Sequence, residues 1–328
     1  MSLSIIGGSG FIGNKLSSVL RNKDIDFVNL DICESSFHKE KFRKCDVTNI
    51  LDLEHSLNGD LIINLSAVHR DDVRPKSLYE DVNVGGARNI CEIAEKKGIN
   101  KIIFTSSVAI YGFAEKNANE NCAPNPFNEY GKTKLKAEKI FIDWFNKDKE
   151  NRMLVIIRPT VVFGEMNRGN VYNLLNQISR KNFPMIGNGE NIKSMAYVDN
   201  LADFISYSIN FNKGLHIYNY IDKPDLKVKK LIEVSRKCMN LSSKPIATLP
   251  YHLALIGGYF FDIISIIFRK NLPISSIRIK KFCSDSQFDS SVSQTGFQPR
   301  FSLEDALKKT VKYEFIDKRN EEITFISE

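Results

Sequence analysis

The chain has 328 residues, 42% of them hydrophobic and 26% charged, the composition of a folded protein with a sizeable core rather than of a disordered, collagen-like or low-complexity chain. The net charge of +7 is uneven: residues 223–281 sum to +9 and the remainder to −2, which leaves nucleic acid or an anionic membrane surface as partners. Six cysteines, at 33, 45, 91, 122, 238 and 283, form no C-x-x-C pair and neighbour no histidine cluster, so neither a structural zinc site nor a disulfide scaffold is expected.

Ser2–Ile6 reads as a short apolar strand. The stretch lacks a basic flank and breaks at glycine, so no secretory signal is expected, and no run of about 20 uncharged apolar residues predicts a spanning helix. GGSGFIG follows at 7–13 and opens a helix over 11–21. Strand, glycine turn and helix are the setting in which a backbone can approach a pyrophosphate at a helix N-terminus. The glycines read as G-x-G-x-x-G (8, 10, 13) or G-x-x-G-x-x-G (7, 10, 13). A second strand, 26–30, ends at Asp31, whose carboxylate can accept both ribose hydroxyls and would repel a 2′-phosphate, favouring NAD over NADP. Residues 61–65 and 101–105 are apolar runs too short for helices. Between them 77–97 has helical period and stops at Gly98.

Thr105-Ser-Ser-Val-Ala-Ile-Tyr-Gly112 follows the 101–105 strand and places Ser107 at a strand C-terminus, where open sheets put ligands. Tyr130-Gly-Lys-Thr-Lys134 lies in a helix predicted over 127–147, and the i, i+4 spacing puts both side chains on one face. An ammonium beside a phenol favours phenolate, which can take a proton from a sugar hydroxyl while hydride leaves its carbon. Residues 153–157 form a further buried strand. Alternating strands and helices predict an α/β fold: a doubly wound parallel sheet in residues 1–160, with a smaller, partly interleaved substrate lobe in 161–328.

The glycine triplet, Asp31, Ser107, Tyr130 and Lys134, in that order, resemble the extended short-chain dehydrogenases/reductases, the nucleotide-sugar epimerase and dehydratase family. Arg158-Pro159 and Tyr197-Val198-Asp199 match its later landmarks. The resemblance implies the 7, 10, 13 glycine register and a catalytic set of Ser107, Tyr130 and Lys134. It implies NAD contacts at Gly7, Gly10, Phe11, Ile12, Gly13, Asp31, Asp46, Val47, Leu65, Ala67, Asn83, Tyr130, Lys134 and Pro159. A homodimer through helices 77–97 and 127–147 is also implied. The family's dehydratases carry an Asp-Glu pair directly after the catalytic Ser or Thr. Here Val108 and Ala109 stand there and cannot move protons, which argues for epimerisation or simple redox chemistry.

AVHRDDVRPKSLYEDVNV, GNGENIKSMAYV, IRIKKFCSDSQFD and the ending EEITFISE resemble a bacterial branch of the family that epimerises GlcNAc and GalNAc on an undecaprenyl-diphosphate carrier in O-antigen synthesis. The resemblance implies a lipid-linked sugar substrate and a peripheral place on the cytoplasmic face of the inner membrane. Family relatives acting on UDP-sugars usually carry Asn where Val161 falls and Arg where Lys193 falls; a substrate without uridine keeps only its diphosphate, for which Arg168, Lys193 and Arg278 are the candidate partners. Residues 251–268, YHLALIGGYFFDIISIIF, have a wide apolar arc and are followed by Arg269, Lys270, Arg278, Lys280 and Lys281. That suits a helix lying in a membrane interface, or a buried helix of the smaller lobe or of a dimer; the basic flank and the lipid-linked substrate bring the first level with the second. Aromatics are not interleaved with the basic residues, so no nucleic acid is expected. His69-Arg-Asp-Asp72 reads as a loop near the substrate mouth, and no metal is expected.

Overall fold

The structure, a computed structural model, describes residues 1–35, 37–70, 73–113, 116–180, 183–242, 247–268, 275–317 and 324–325. The chain begins β1 (Ser2–Ile6), α1 (Phe11–Asn22), β2 (Asp26–Asp31), β3 (Phe42–Lys44), α2 (Ile50–Ser56), β4 (Leu61–Asn64). A π-helical stretch, Tyr79–Gly85, runs into α3 (Gly86–Lys97), which ends at Gly98 in the left-handed region (φ +67°), the C-cap its glycine signals. Then come β5 (Lys101–Thr105), a 3-10 turn Val108–Tyr111, α4 (Glu129–Asn146) and β6 (Met153–Pro159).

Beyond residue 160 the elements shorten: β7 (Val161–Phe163), α5 (Asn170–Ser179), β8 (Met185–Ile186), β9 (Ile192–Lys193), β10 (Met195–Tyr197) and α6 (Val198–Ser208). After them stand β11 (Gly214–Tyr220), β12 (Leu226–Lys227), α7 (Val228–Cys238), β13 (Thr248–Leu249), α8 (Tyr251–Phe268), α9 (Ser276–Cys283) and α10 (Leu303–Phe315).

The central sheet has the order β11-β6-β5-β4-β1-β2-β3 with every neighbouring pair parallel. Burial on both faces explains the near-continuous apolar runs. On β6, Met153, Val155 and Ile157 join the core beneath α1 and α6, whereas Leu154 and Ile156 join the core under α3 and α4 with Phe141 and Trp144, the period of two that a strand imposes. The order reverses between β1 and β4, and it is there that an open α/β sheet has its ligand crevice.

β11, from well beyond residue 160, is the edge strand beside β6, Leu215 pairing with Leu154 and Ile217 with Ile156. Residues beyond 160 form a further core, in which Leu175 of α5, Leu231 of α7 and Leu307 of α10 are fully buried with Phe163 and Tyr197.

Candidate active site

The loop after β1 is shaped by what its glycines leave out. Gly7 has φ +78°, and a Cβ there would lie 2.7 Å from Ser66 N beyond β4; one on Gly13 would lie 2.5 Å from Gly8 O. The loop therefore closes against the end of β4 and against itself, and Gly10 stands at the start of α1 in extended conformation (φ −74°, ψ 179°). Asn14, on the first turn of α1, donates to Ser9 O at 2.6 Å and Gly10 O at 2.9 Å, and Ser35 donates to its Oδ1 at 2.6 Å.

Asp31 accepts from Ser9 N at 3.0 Å and Cys33 N at 3.2 Å. Burial raises its pKa, against the pull of those N–H groups. The Ser9 hydroxyl is buried and has no hydrogen-bond partner among the described residues. An uncapped helix N-terminus, a carboxylate with lone pairs to spare and an orphaned hydroxyl fit a ribosyl pyrophosphate.

The other residues expected at the cofactor have varied surroundings. Ile12 packs its side chain into the core, so its backbone is what faces the loop. Val47 is buried against Gly86, where a Cβ would meet it at 2.9 Å. Asp46 turns its carboxylate onto Thr48 N and Oγ1, at 2.9 and 2.8 Å. Leu65 and Ala67, both half-buried, lead out of β4 and Pro159 ends β6.

Asn83, expected at the cofactor, is also tied into the protein. It is buried, accepts from Val68 N at 2.8 Å and donates to Val68 O and Thr133 Oγ1, both at 3.0 Å. Both amide protons are thus spent pinning the strand-four loop to α4. Phe11 meets an unforeseen partner: Phe325, near the chain's end, lies 5.8 Å from the Phe11 ring and 6.3 Å from the Phe37 ring.

Ser107 caps the 3-10 turn beyond β5, its Oγ accepting from Ala109 N at 3.1 Å. Asn128 caps α4 by accepting from Gly131 N at 2.9 Å, so Tyr130 lies in the first turn. Gly131 lets the two elements meet: a Cβ on it would lie 2.5 Å from Ala109 O. Burial pushes the Tyr130 phenol up to about 12, and hydrogen bonding to Ser107 draws it back down.

Lys134, one turn further on, is 2% exposed. Its Nζ lies 4.5 Å from the centre of the Phe104 ring, and burial lowers its pKa to about 7, against the upward pull of Glu138. What lowers the tyrosine here is thus Ser107, while the ammonium sits over an aromatic face one turn away. His69 is close enough for Lys134 to depress its pKa, although burial is the larger cause. Asp71 and Asp72 lie outside the described residues.

The three candidate diphosphate cations have different surroundings. Arg168 forms an ion pair with Glu314 at 2.9 Å and stacks on Tyr172 at 4.1 Å, so its charge serves the loop after β7. Lys193 donates to Ser284 O at 2.7 Å, and burial lowers its pKa while Asp285 raises it. Arg278 is exposed on α9.

Sequence reasoning missed the polar chain behind the site. Glu138 and Arg158 form a buried two-pronged pair at 2.9 and 2.7 Å; Arg158 also donates to Tyr111 Oη at 2.7 Å, which donates to Asn219 of β11 at 2.9 Å. The spacing of Glu138 four residues after Lys134 was visible, but its partner lies 20 residues away on a strand. A second buried cluster was missed too: the Tyr197 hydroxyl lies within hydrogen-bond distance of the Glu165 and Asp199 carboxylates, and Lys309 of α10 donates to Asp199 at 2.8 Å.

A profile of the NAD-dependent epimerase/dehydratase family matches residues 3–220. The chain is 47% identical, over 99% of its length and 98% of the relative's, to the N-acetyl-α-D-glucosaminyl-diphospho-ditrans,octacis-undecaprenol 4-epimerase of Escherichia coli O157:H7. It is 26% identical, over 76% of its length and 78% of the relative's, to the UDP-glucose 4-epimerase of Vibrio cholerae. Among solved structures, the UDP-N-acetylglucosamine 4-epimerase of Bacillus cereus superposes with a TM-score of 0.75 over 97% of this chain and 98% of that one, at 17% identity. The UDP-glucose 4-epimerase of Thermotoga maritima gives 0.72 over 95% and 98%, at 21%. At those identities the likeness is one of fold.

Proposed function

The chain belongs to the NAD-dependent epimerase/dehydratase family, and on that premise we propose that it is a 4-epimerase interconverting GlcNAc and GalNAc on undecaprenyl diphosphate. The carrying observation is identity of 47% along the whole chain with an epimerase of that lipid-linked sugar. Two features support it: Ser107 is close enough to Tyr130 to lower the phenol's pKa, and Val108 and Ala109 leave no acid–base pair for expelling water.

NAD, when bound at the glycine loop and Asp31, supplies the acceptor and donor for the C4 hydrogen. Tyr130 takes the C4 hydroxyl proton and returns it after the 4-keto sugar has presented its other face. Ser107 hydrogen-bonds that phenol and lowers the cost of the phenolate. Lys134, when protonated, supplies positive charge in a dry environment, where it acts more strongly than in water. Asn83 holds the strand-four loop against α4 so that crevice and catalytic helix keep one geometry. Lys193, at the edge of the smaller lobe, is the cation we assign to the diphosphate; Arg168 and Arg278 have weaker claims, the first being engaged by Glu314. We further assign the protein to the membrane surface where its substrate resides, and to a homodimer through α3 and α4, checked by light scattering.

The test is to incubate the protein, with no cofactor added, with GlcNAc-diphospho-undecaprenol and with UDP-GlcNAc in parallel, and to identify the sugar after mild acid. GalNAc from the lipid alone is expected. GalNAc from UDP-GlcNAc alone would replace this reading with a soluble nucleotide-sugar epimerase. Tyr130→Phe should lower turnover about 10²–10⁴-fold; equal activity of variant and wild type would remove the tyrosine from the mechanism.

A further inference from the structure

Among the described residues no helix is long and apolar enough to cross a membrane, yet α8 presents an apolar face to solvent. Leu253, Ile256, Phe260 and Ile263 are 59, 66, 61 and 57% exposed. Their spacing of three, four and three residues puts them on one side of the helix.

The opposite side is committed to α9. Ala254 is buried. Gly258 lies so close that a Cβ would stand 2.8 Å from Ile279 Cδ1 and 2.9 Å from Ser276 Cα. Asp262, the one acid of the helix, accepts from Ser276 N at 3.2 and 3.3 Å and so caps α9. The carboxylate that interrupts the apolar sequence is therefore turned away from the exposed face. α9 carries exposed Arg278 and Lys280, and the Lys280 ammonium, 5.2 Å from the Tyr259 ring, puts a cation at the flank of the α8 face.

An uninterrupted apolar stripe of this size is uncommon on a protein that faces only water. Apolar residues flanked by cations are the pattern of a helix pair lying in the headgroup region of an anionic bilayer. We propose that the α8–α9 hairpin docks this face into an anionic lipid surface.

The hairpin is continuous with the candidate substrate edge. The segment leaving α9 receives the Lys193 hydrogen bond at Ser284 O, and its Asp285 pairs with Lys116 at 2.7 Å. Resting on the lipid-carrier reading for its purpose, the docking would bring the diphosphate end of a membrane-held substrate to Lys193 while the lipid stays in the bilayer.

The experiment is sedimentation of the full chain with vesicles of phosphatidylglycerol and phosphatidylethanolamine, against phosphatidylcholine vesicles, none containing sugar lipid. Wild type should bind the anionic vesicles. Ile256→Glu with Phe260→Glu should lower the partition about 100-fold or more, with its melting temperature and its turnover of the lipid-linked sugar in detergent micelles retained. Wild-type protein that ignores anionic vesicles, or a double variant that binds them as well as wild type, would overturn the proposal. So would a double variant that turns from dimer to monomer in light scattering without wild-type vesicle binding, which would assign the face to a second copy of the chain. Because the vesicles hold no substrate, docking without turnover in micelles would count against the epimerase reading alone.

Discussion

Lys134 carries its amine into surroundings that oppose its charge. It is 2% exposed, and its pKa falls from 10.5 to about 7 because burial penalises the charged form. Between about pH 7 and 10.5 the unfolded chain therefore binds one more proton than the folded one, and this group's contribution to stability rises with pH across that window. The slope it adds is at most about 1.4 kcal/mol per pH unit. Lys134→Met should melt above wild type near pH 7, with the gap closing toward pH 10, when cofactor-free proteins are compared by calorimetry. A gap that does not change with pH would show that the lysine is not titrating there. Glu138 works in the other direction, since its carboxylate raises the Lys134 pKa. Glu138→Gln should move the alkaline fall of turnover to lower pH, read from a pH–kcat profile. It also leaves Arg158 without its buried carboxylate, at a cost of about 3–5 kcal/mol measurable by urea unfolding. A profile that stays in place while stability falls would make Glu138 a purely structural partner.

At the scale of elements, the site depends on how closely the start of α4 approaches the 3-10 turn after β5. Gly131 sets that distance, because its missing Cβ would stand 2.5 Å from Ala109 O. Gly131→Ala must push the two apart by a fraction of an ångström or more and so separate Tyr130 from Ser107. Turnover should fall about 100-fold, while circular dichroism and the amount of bound NAD stay unchanged; wild-type turnover would show that the turn can yield. Elsewhere, elements announced by a strong local signal are where the periodicity placed them. β1 and β5 match residue for residue, and α3 ends at Gly98. The π-helical entry to α3 was not legible, because its hydrogen-bond pattern is set by packing against α4 and by the Asn83 clamp rather than by residue type.

For the whole molecule, the sheet is the common support of both halves of the site. Ile156 of β6 is fully buried with Phe141 and Trp144 of α4, so the core that holds the sheet also seats the helix that carries Tyr130 and Lys134. Ile156→Ala should cost about 2–5 kcal/mol in denaturant unfolding; a smaller loss would mean that α4 collapses readily into the space. β11 escaped the sequence reading: its residues, GLHIYNY, mix polar and apolar types, as an edge strand with one free side does, and show no clean alternation.

Sequence alone determined the chemistry that is local: a glycine turn opening a helix, an acid at the end of β2, a tyrosine and lysine four residues apart, and a serine at a strand end. Each of these depends on residues within about one turn of each other, where covalent geometry already limits the outcome. It also determined the apolar runs that become a doubly buried sheet, because periodicity records burial. Tertiary structure decided everything that joins distant residues. It paired Arg168 with Glu314, spent Asn83 on a loop, placed Glu138 and Arg158 behind Lys134, brought Phe325 to Phe11 and turned Asp262 inward. Those outcomes follow from which surfaces come into contact and how burial then prices each charge, and no spacing along the chain contains that information.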